Sequence, residues 1–591
     1  MWQVEPVPPT RPVVTMNKQY AVYTAETNCQ DCCRCLRSCP VKAIRVEKGR
    51  AAIVPELCVA CGTCVDACPG GAKKIRSDIG RVRALLARRE RVLVSVAPSY
   101  AAEFPEVRPG AFAAAMKELG FAGTAETAIG ADRVTRALAD LLGDPPQPLS
   151  LSTACPAAVD FIRKYMPEFA PCLTPLGSPM VAHSDILRKE HNESIGVVFI
   201  GPCIAKKVEA DADPLNPEAA LTFGELRQFM KEEGVSFRDT PEMDDSALQS
   251  GRSGAVYPVA GGMIEALREL GACQDVDCVA VCGIDSIWHT LKGLDPSRMD
   301  RPVFLEMLAC EGGCINGPSS DKKRARLLQE QAIRRRHRSL LLQGAPAPVD
   351  ADPVPIGQSF SPAVPLSVVA DEQSLRIALE RVGKYVWEDE LNCGGCGYDT
   401  CREFAASMLE GRAEPDMCLS FLRKKAQRKA NALLRCMPSG VVIADANLQV
   451  VECNRNFAAM IGSDTMMVYD ARPGLEGANL ERLVPFADLF RRVLATDEDY
   501  RCDMMRVGDR LLNVTLFPIE PHQTVGGIVL DVTRSELRRE YIAQRAREVI
   551  DRNMATVQEI ACKLGEHMAD TEILLRNIAE DYGERGRSED E

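Results

Sequence analysis

Aromatic residues are scarce in this sequence, at 5% of 591 residues. No apolar run approaches the roughly 20 residues needed to cross a bilayer. The opening stretch MWQVEPVPPTRPVV has no basic segment followed by an apolar one, so neither a membrane span nor a secretory signal is expected, and the predicted location is the cytoplasm. Net positive charge is also lacking: the balance of −12 gives a nucleic-acid partner no global electrostatic support. The basic run Arg334-Arg335-Arg336-His337-Arg338 reads as a solvated helix face. The length exceeds what one core can organise and suggests roughly three to five domains.

What the chain has in excess is cysteine, 25 residues. Thiols in the cytosol stay reduced, which excludes a disulfide scaffold and leaves metal ligation or small core residues. Spacing separates the two. One block reads Cys29-x2-Cys32-x2-Cys35-x3-Cys39-Pro40, and a second repeats it as Cys58-x2-Cys61-x2-Cys64-x3-Cys68-Pro69. In such a run three thiolates wrap one 4Fe–4S cube, and the fourth Cys ligates the cube of the other run. Cys33 falls off this grid and reads as a bystander. The pair resembles a bacterial two-cluster ferredoxin over residues 20–78.

A third set, Cys393-Gly394-Gly395-Cys396-Gly397-Tyr398-Asp399-Thr400-Cys401, is closed by Cys418. Its glycines let the backbone approach a cluster and offer N–H groups to sulfide. Four thiolates also suit a structural zinc, but the neighbouring runs favour a third 4Fe–4S cluster.

Between these sets the pattern changes to short apolar strands, Val92–Val96 and Ile195–Ile200, alternating with helical segments Ala111–Leu119 and Ala131–Leu142. Isolated cysteines sit where ligands converge in α/β folds: Thr153-Ala154-Cys155-Pro156, Gly201-Pro202-Cys203-Ile204-Ala205-Lys206-Lys207-Val208-Glu209, and Glu306-Met307-Leu308-Ala309-Cys310-Glu311-Gly312-Gly313-Cys314. Together and in this order they resemble the three signature loops of the iron-only hydrogenase active-site domain, over residues 90–342.

That resemblance implies an H-cluster, a 4Fe–4S cube joined through a thiolate to a di-iron unit carrying CO, cyanide and a dithiolate bridge. Cys155, Cys203, Cys310 and Cys314 would hold the cube, with Cys314 bridging. Lys206 would hydrogen-bond a cyanide, and Glu209 belongs to the same motif. Ala97-Pro98-Ser99, Ser178-Pro179 and Pro202 would pack on the diatomic ligands. The implied reaction interconverts H2 with protons and electrons, using a ferredoxin-type electron carrier and hydrogenase maturation proteins. The sequence departs from the family where protons move. Ala154 replaces the usual proton-relay Cys, and the stretch Gly130-Ala131-Asp132-Arg133-Val134-Thr135-Arg136-Ala137-Leu138 lacks the usual pair of Glu. Gly201 and Leu308 stand in place of two Met, and Met180 in place of a Gln. A positioned acid–base group contributes roughly 10²–10⁴-fold, so slow turnover is expected.

Residues 344–365 are rich in Pro and small residues and read as a linker. Gly440–Asp445 and Leu448–Asn454 form a strand pair, followed by strands at Arg510–Phe517 and Thr524–Asp531. With Asn454-Arg455-Asn456-Phe457 they resemble a PAS domain, a small α+β dimerisation module being the alternative. Cys436, Cys453 and Cys502 read as core thiols. Residues 534–579 carry a charged helical pattern, with His567 as a surface residue and no kinase or phosphatase domain following. A separate kinase or phosphatase partner, or a homodimer through the PAS domain and helix, is expected.

The predicted architecture is therefore a multidomain α/β and α+β chain. It comprises a ferredoxin-like domain with two 4Fe–4S clusters (20–78), an α/β iron-only hydrogenase domain (90–342), a Pro-rich linker (343–370), a small 4Fe–4S domain (371–428), a PAS domain (432–533) and a helical output or dimerisation segment (534–582). With three 4Fe–4S clusters and an H-cluster, the chain reads as a sensory hydrogenase of low rate. The alternatives are a catalytic ferredoxin-linked hydrogenase with a regulatory PAS domain and a non-catalytic iron–sulfur electron-transfer protein.

Overall fold

The computed structural model describes residues 20–25, 28–191, 195–213, 216–238, 244–343, 357–364, 370–533, 549–550 and 552–557. The proline-rich lead, most of the linker and most of the predicted terminal helix, His567 included, lie outside the described residues. The chain divides into two units, Met1–Met417 and Cys418–Glu591.

In the first unit the two cysteine runs form a small domain. A strand Val22–Thr24 pairs antiparallel with Lys73–Ile75, and Ile44–Glu47 pairs with Arg50–Ile53. Each run ends in a short helix, Arg34–Arg37 and Thr63–Ala67. The internal repeat is visible in its hydrogen bonds. Cys39 Sγ accepts from Ala43 N–H at 3.3 Å, and Cys68 Sγ accepts from Ala72 N–H at 3.2 Å, the same four-residue step.

The larger α/β part holds two parallel sheets. Five strands run in the order Leu248–Gln249, Gly123–Glu126, Val92–Val96, Gly196–Gly201, Ala219–Thr222, all parallel. Val92–Val96 and Gly196–Gly201 are buried along their whole length, as central parallel strands covered on both faces must be. A three-stranded sheet has the order Asp277–Cys282, Val303–Leu308, Leu149–Leu151. The predicted helices are present as Pro109–Glu118 and Ala128–Gly143. Gly130 is required by a close approach: a Cβ there would meet the Pro179 carbonyl oxygen at 2.2 Å, so helix Ala128–Gly143 packs directly on helix Pro179–Glu190.

Helix Arg326–Leu342 corrects one expectation. Its basic run is a solvated face only in part, at Arg335 and Arg338, which are exposed. Arg336 donates to the fully buried Glu126, Arg334 reaches Glu265 at 2.7 Å, and the buried His337 meets Glu269 at 2.7 Å. Burial leaves Glu126 in need of a cation, and the helix supplies one.

The second unit carries a five-stranded antiparallel sheet in the order Val450–Cys453, Gly440–Asp445, Thr524–Asp531, Arg510–Glu520, Tyr500–Val507. Asn454 caps helix Arg455–Ile461. Its Oδ1 accepts from Phe457 N–H and Val441 N–H, while its Nδ2 donates to the carbonyls of Leu434 and Ser439. The fully buried Phe457 then enters the core with Phe490 and Leu516. Cys453 is a core thiol as expected. Cys436 is not: it ends helix Leu419–Cys436 and is exposed, because that helix buries only Leu434. Residues 552–557 are helical, and Asn553 Nδ2 donates to Ser439 Oγ at 2.9 Å. Among the described residues no helix is long and apolar enough to cross a membrane.

Candidate metal centre

The candidate ligands lie beyond the carboxyl ends of strands, where parallel sheets open. Cys155 follows strand Leu149–Leu151 and sits at the N-cap of helix Pro156–Tyr165, whose first residue is Pro, suited to that position because its missing N–H is not needed there. Cys203 follows Gly196–Gly201. Cys310 and Cys314 follow Val303–Leu308. Between the last two, Gly313 has φ of 96°, and a Cβ on it would meet the Pro258 carbonyl at 2.4 Å; the loop can close only with glycine there.

The structure brings all four thiols to one small cavity, together with Ala60, Cys61 and Pro318. Burial pushes Cys310 and Cys314 upward, and the neighbouring sulfurs push the same way. Cys203 is raised to about 11 by burial and by Cys155, while Lys206 and the N–H groups of Lys206 and Ala205 pull it down. Without metal these are protonated thiols, so loading a metal must release protons. Ala309 N–H also points at Cys155 Sγ, at 3.5 Å.

A second, contiguous cavity shares Cys155, Cys203 and Cys314 and is lined by Ala97, Pro98, Ser99, Pro179, Pro202 and Lys206 among others. Lys206 Nζ donates to Glu209 Oε2 at 2.6 Å and to Ser178 Oγ at 2.7 Å, which fixes a buried ammonium at the wall. Ser99 Oγ is buried without a hydrogen-bond partner among the described residues. Four convergent soft ligands, an anchored cation and an unsatisfied hydroxyl on one cavity fit an anionic metal group with diatomic ligands.

Behind Ala154 the surroundings are apolar, although Thr127, Ser152, Tyr257 and Glu306 also line the cavity. Ala154 packs in one apolar cluster with Ala137, Leu138 and Leu141 around Leu142, Leu176 and Phe304. The positions lacking acid or thiol are filled by hydrocarbon. Gly201 leaves no hole either, since a Cβ there would meet the Phe199 ring at 2.7 Å; Phe199, two residues earlier on the same strand face, lines the cavity instead. One polar group on this side escapes sequence reading. Glu306 lines the cavity, is buried, accepts from Ile264 N–H at 3.1 Å, and is pushed up to about 7 by burial. Its only sequence signal is a lone acid inside an apolar strand.

The remaining cysteines also converge. Cys68 lies beside Cys32 and Cys35, while Cys39 lies beside Cys58, Cys61 and Cys64. Cys29 is half-buried in the first run. The second run docks on the four-thiol cavity: Gly62 packs so tightly on Pro318 and Ile204 that a Cβ would lie 2.4 Å from Pro318. Helix Pro156–Tyr165 runs from Cys155 back to this loop, where Lys164 Nζ donates to Cys58 O at 2.7 Å and Tyr165 Oη to Leu57 O at 2.6 Å. The loop of Cys393, Cys396 and Cys401 meets the first run instead. Gly397 packs on Leu36, and Val46 N–H donates to Arg412 O at 3.1 Å. Cys418 opens the second unit, buried, its thiol 3.3 Å from Ser420 Oγ. Cys33 faces Asp31 and is raised to about 12 by burial and that carboxylate.

A buried ion network joins the small domain to the α/β part. Lys207 Nζ, fully buried, donates to Asp78 Oδ2 and Glu225 Oε1 at 3.0 Å each, and Arg76 spans Asp78 and Asp211.

Comparison with known proteins agrees with this architecture. Residues 90–318 match the family described as iron only hydrogenase large subunit, C-terminal domain. Residues 21–69 match a 4Fe-4S dicluster domain, 389–420 an Fe-S cluster family and 428–499 a PAS domain. Residues 90–318 thus carry an iron-only hydrogenase large-subunit domain, together with a dicluster ferredoxin domain and a PAS domain elsewhere in the chain.

Among relatives, an NADP-reducing hydrogenase subunit of Solidesulfovibrio fructosivorans is 28% identical over 49% of this chain and 61% of its own length. Iron hydrogenase 1 of Clostridium pasteurianum is 24% identical over 46% and 58%. The chain thus spans about three fifths of the length of these two relatives. A cytosolic Fe-S cluster assembly factor of Yarrowia lipolytica is 25% identical over 28% of this chain and 51% of its own. A solved FeFe-hydrogenase from Chlamydomonas reinhardtii overlays 49% of this chain and 100% of its own at 17% identity and a TM-score of 0.37.

Proposed function

We propose that the protein is a sensory iron-only hydrogenase: it converts H2 slowly, and its redox or hydrogen state is passed through iron–sulfur clusters to the PAS domain. One observation carries this reading. Four thiols and an anchored Lys206 converge where the lining residue Ala154 packs into the apolar cluster of Ala137, Leu138 and Leu141. A ligand set is kept where a proton route is not.

In this reading Cys155, Cys203, Cys310 and Cys314 would hold the cube of an H-cluster, and Cys314 would also bind its di-iron unit. When bound, that group supplies the interconversion of H2 with two protons and two electrons. The protein supplies position and charge. Lys206, held by Glu209 and Ser178, presents a buried cation to the cyanide side, and N–H groups near Cys155 and Cys203 stabilise charge on sulfur. Glu306 is the cavity-wall group able to take or give a proton near neutral pH.

Three further 4Fe–4S clusters complete the relay: Cys29, Cys32, Cys35 with Cys68; Cys58, Cys61, Cys64 with Cys39; and Cys393, Cys396, Cys401 with Cys418. The packing of the second run on the four-thiol cavity and of the third loop on the first run supports a relay from the cavity through the second run and the first run to the third loop. The PAS domain then takes the signal to a kinase, a phosphatase or a second copy of the chain, in the cytoplasm. A ferredoxin-type carrier exchanges electrons.

The test is infrared spectroscopy of the maturated full-length protein under H2, paired with a turnover assay. CO and cyanide bands with turnover roughly 10²-fold or more below fast family members are expected. Turnover matching theirs would overturn the sensor. Absence of the bands would favour a second reading, a non-catalytic iron–sulfur role, supported by the likeness to assembly factors. Replacing Cys393 by Ser should abolish any H2-dependent change in the second unit; an unchanged response removes that loop from the relay.

A further inference from the structure

One cluster of metal-ligating side chains outside the cysteine centres contains no sulfur. Ala266 of helix Gly262–Glu269 and Ile333 of helix Arg326–Leu342 share an apolar cluster with Val256 and Val259. The same two helices bring together Glu265, Glu269 and His337. Glu265 and Glu269 are four residues apart, so they stand one above the other on one helix face. Each of the three turns a ligand atom to within 4.8 Å of the other two. The Glu265 and Glu269 side chains are 37% and 27% exposed and that of His337 only 3%, so an ion can reach a site whose base is buried.

His337 is the informative member. Its Nε2 lies 2.7 Å from Glu269 Oε1 and its Nδ1 3.2 Å from the Arg252 carbonyl oxygen. Both partners are acceptors, and a neutral imidazole donates from one nitrogen only. The carbonyl takes the Nδ1–H, so the Nε2 lone pair faces an oxygen lone pair unless a cation lies between them. That cation is a second proton or a metal ion. A proton bridges two atoms and makes no use of Glu265; a divalent ion takes all three ligands. An Nδ1–H anchored on a backbone carbonyl is also how a metal-binding histidine is oriented. Arg252 is itself held, its N–H donating to Asp132 Oδ2. Arg334 donates to Glu265 Oε2 at 2.7 Å and to Glu330 Oε1 at 3.0 Å. A carboxylate has a second oxygen, so Arg334 can orient Glu265 as a ligand while the other oxygen meets the ion.

We propose that Glu265, Glu269 and His337 bind a zinc ion that ties helix Gly262–Glu269 to helix Arg326–Leu342. His337 Nε2 and one oxygen from each carboxylate are the ligands, and water takes the fourth position. One imidazole among carboxylates suits a borderline first-row ion; Ca²⁺ and Mg²⁺ prefer oxygen alone, and softer ions prefer thiolate. Ligand atoms on a tetrahedral zinc at 2.0–2.2 Å lie about 3.4 Å apart. Rotation of the two partly exposed Glu side chains supplies that adjustment. Any proton on Nε2 leaves when the ion binds. The ion would sit on the helix whose Ile264 N–H holds Glu306 at the cavity wall, without using a cysteine of the iron–sulfur centres.

The test uses cluster-loaded full-length protein with its free thiols capped by N-ethylmaleimide. It is dialysed anaerobically against buffered micromolar Zn²⁺, then measured for zinc, for iron and by zinc X-ray absorption. One zinc per chain is expected, with iron content unchanged. Its first shell should hold nitrogen and oxygen at about 2.0–2.1 Å, with imidazole scattering beyond, and no sulfur at about 2.3 Å. Glu269→Gln should weaken zinc binding by about 100-fold or more while iron content stays at the wild-type level. A sulfur shell would overturn the proposal, as would zinc no higher than in a buffer blank. So would nitrogen–oxygen zinc that Glu269→Gln retains as tightly as wild type. The absorption spectrum is read on the wild-type protein, so a folding defect in the variant cannot obscure it.

Discussion

On one side of the cavity, sulfur and charge converge; behind Ala154 lies hydrocarbon. The first wall is assembled from loops far apart in sequence, and each side chain there has a partner or a ligand-like role: Lys206 between Glu209 and Ser178, Ala309 N–H on Cys155. The second wall is ordinary core, with Leu138 and Ala154 in the same cluster and Phe199 occupying the space beside Gly201. The difference teaches that holding a metal group and feeding it protons are separable tasks. A fold can keep the first while its second is overwritten by packing, because a closed apolar cluster is stable by itself and a proton wire must remain polar while buried.

The comparison breaks most completely at Cys314. Cys314→Ser should remove iron from this centre while the two N-terminal clusters persist; retained CO and cyanide bands after maturation would refute its bridging role. Lys206→Met comes next. It leaves Glu209 buried without its cation, which should destabilise the protein by roughly 3–5 kcal/mol in denaturant unfolding. Lys206→Arg should recover part of that.

The apolar wall is probed through Glu306. Its folded pKa of about 7 lies above the unfolded carboxyl value, so the folded state binds more protons in between. Its destabilising contribution is absent below about pH 4.5 and grows as pH rises toward 7, reaching about 3 kcal/mol. Glu306→Gln should therefore flatten the fall in stability between pH 4.5 and 7; a parallel curve would show that the carboxyl ionises normally. The same variant should slow any residual turnover. The smallest effect is expected from Ala154→Cys, which introduces one thiol beside the apolar cluster of Ala137, Leu138 and Leu141. A gain of about 10-fold in turnover is the expectation; a gain to family-leading rates would mean the wall was never the obstacle.

Legibility followed locality. The runs Cys29–Cys39 and Cys58–Cys68 are readable because one turn of backbone sets the ligand geometry, so spacing is structure. Strand Val92–Val96 is readable because a buried parallel strand must be apolar throughout. Glu306 was not, because a carboxylate in an apolar strand acquires its meaning from helix N–H groups forty residues earlier. The run Arg334–Arg338 misled, because charge pattern alone does not distinguish water from buried carboxylates as the counterpart of a helix face. Cys436 misled for a related reason, since helix Leu419–Cys436 turns only a narrow edge to its own core.

By itself the amino-acid order determined the spacing of the cysteines, the parallel and antiparallel sheet regions and the absence of a thiol at Ala154. Each is a property of a residue or of a few consecutive residues. Tertiary structure decided which cysteine loops are neighbours, placing the loop of Cys393–Cys401 against the first run although hundreds of residues separate them. It also decided that Ala154 packs into one apolar cluster with Leu138 and Leu141. Those outcomes depend on which surfaces exclude water together, and close packing between distant segments carries no fixed spacing along the chain.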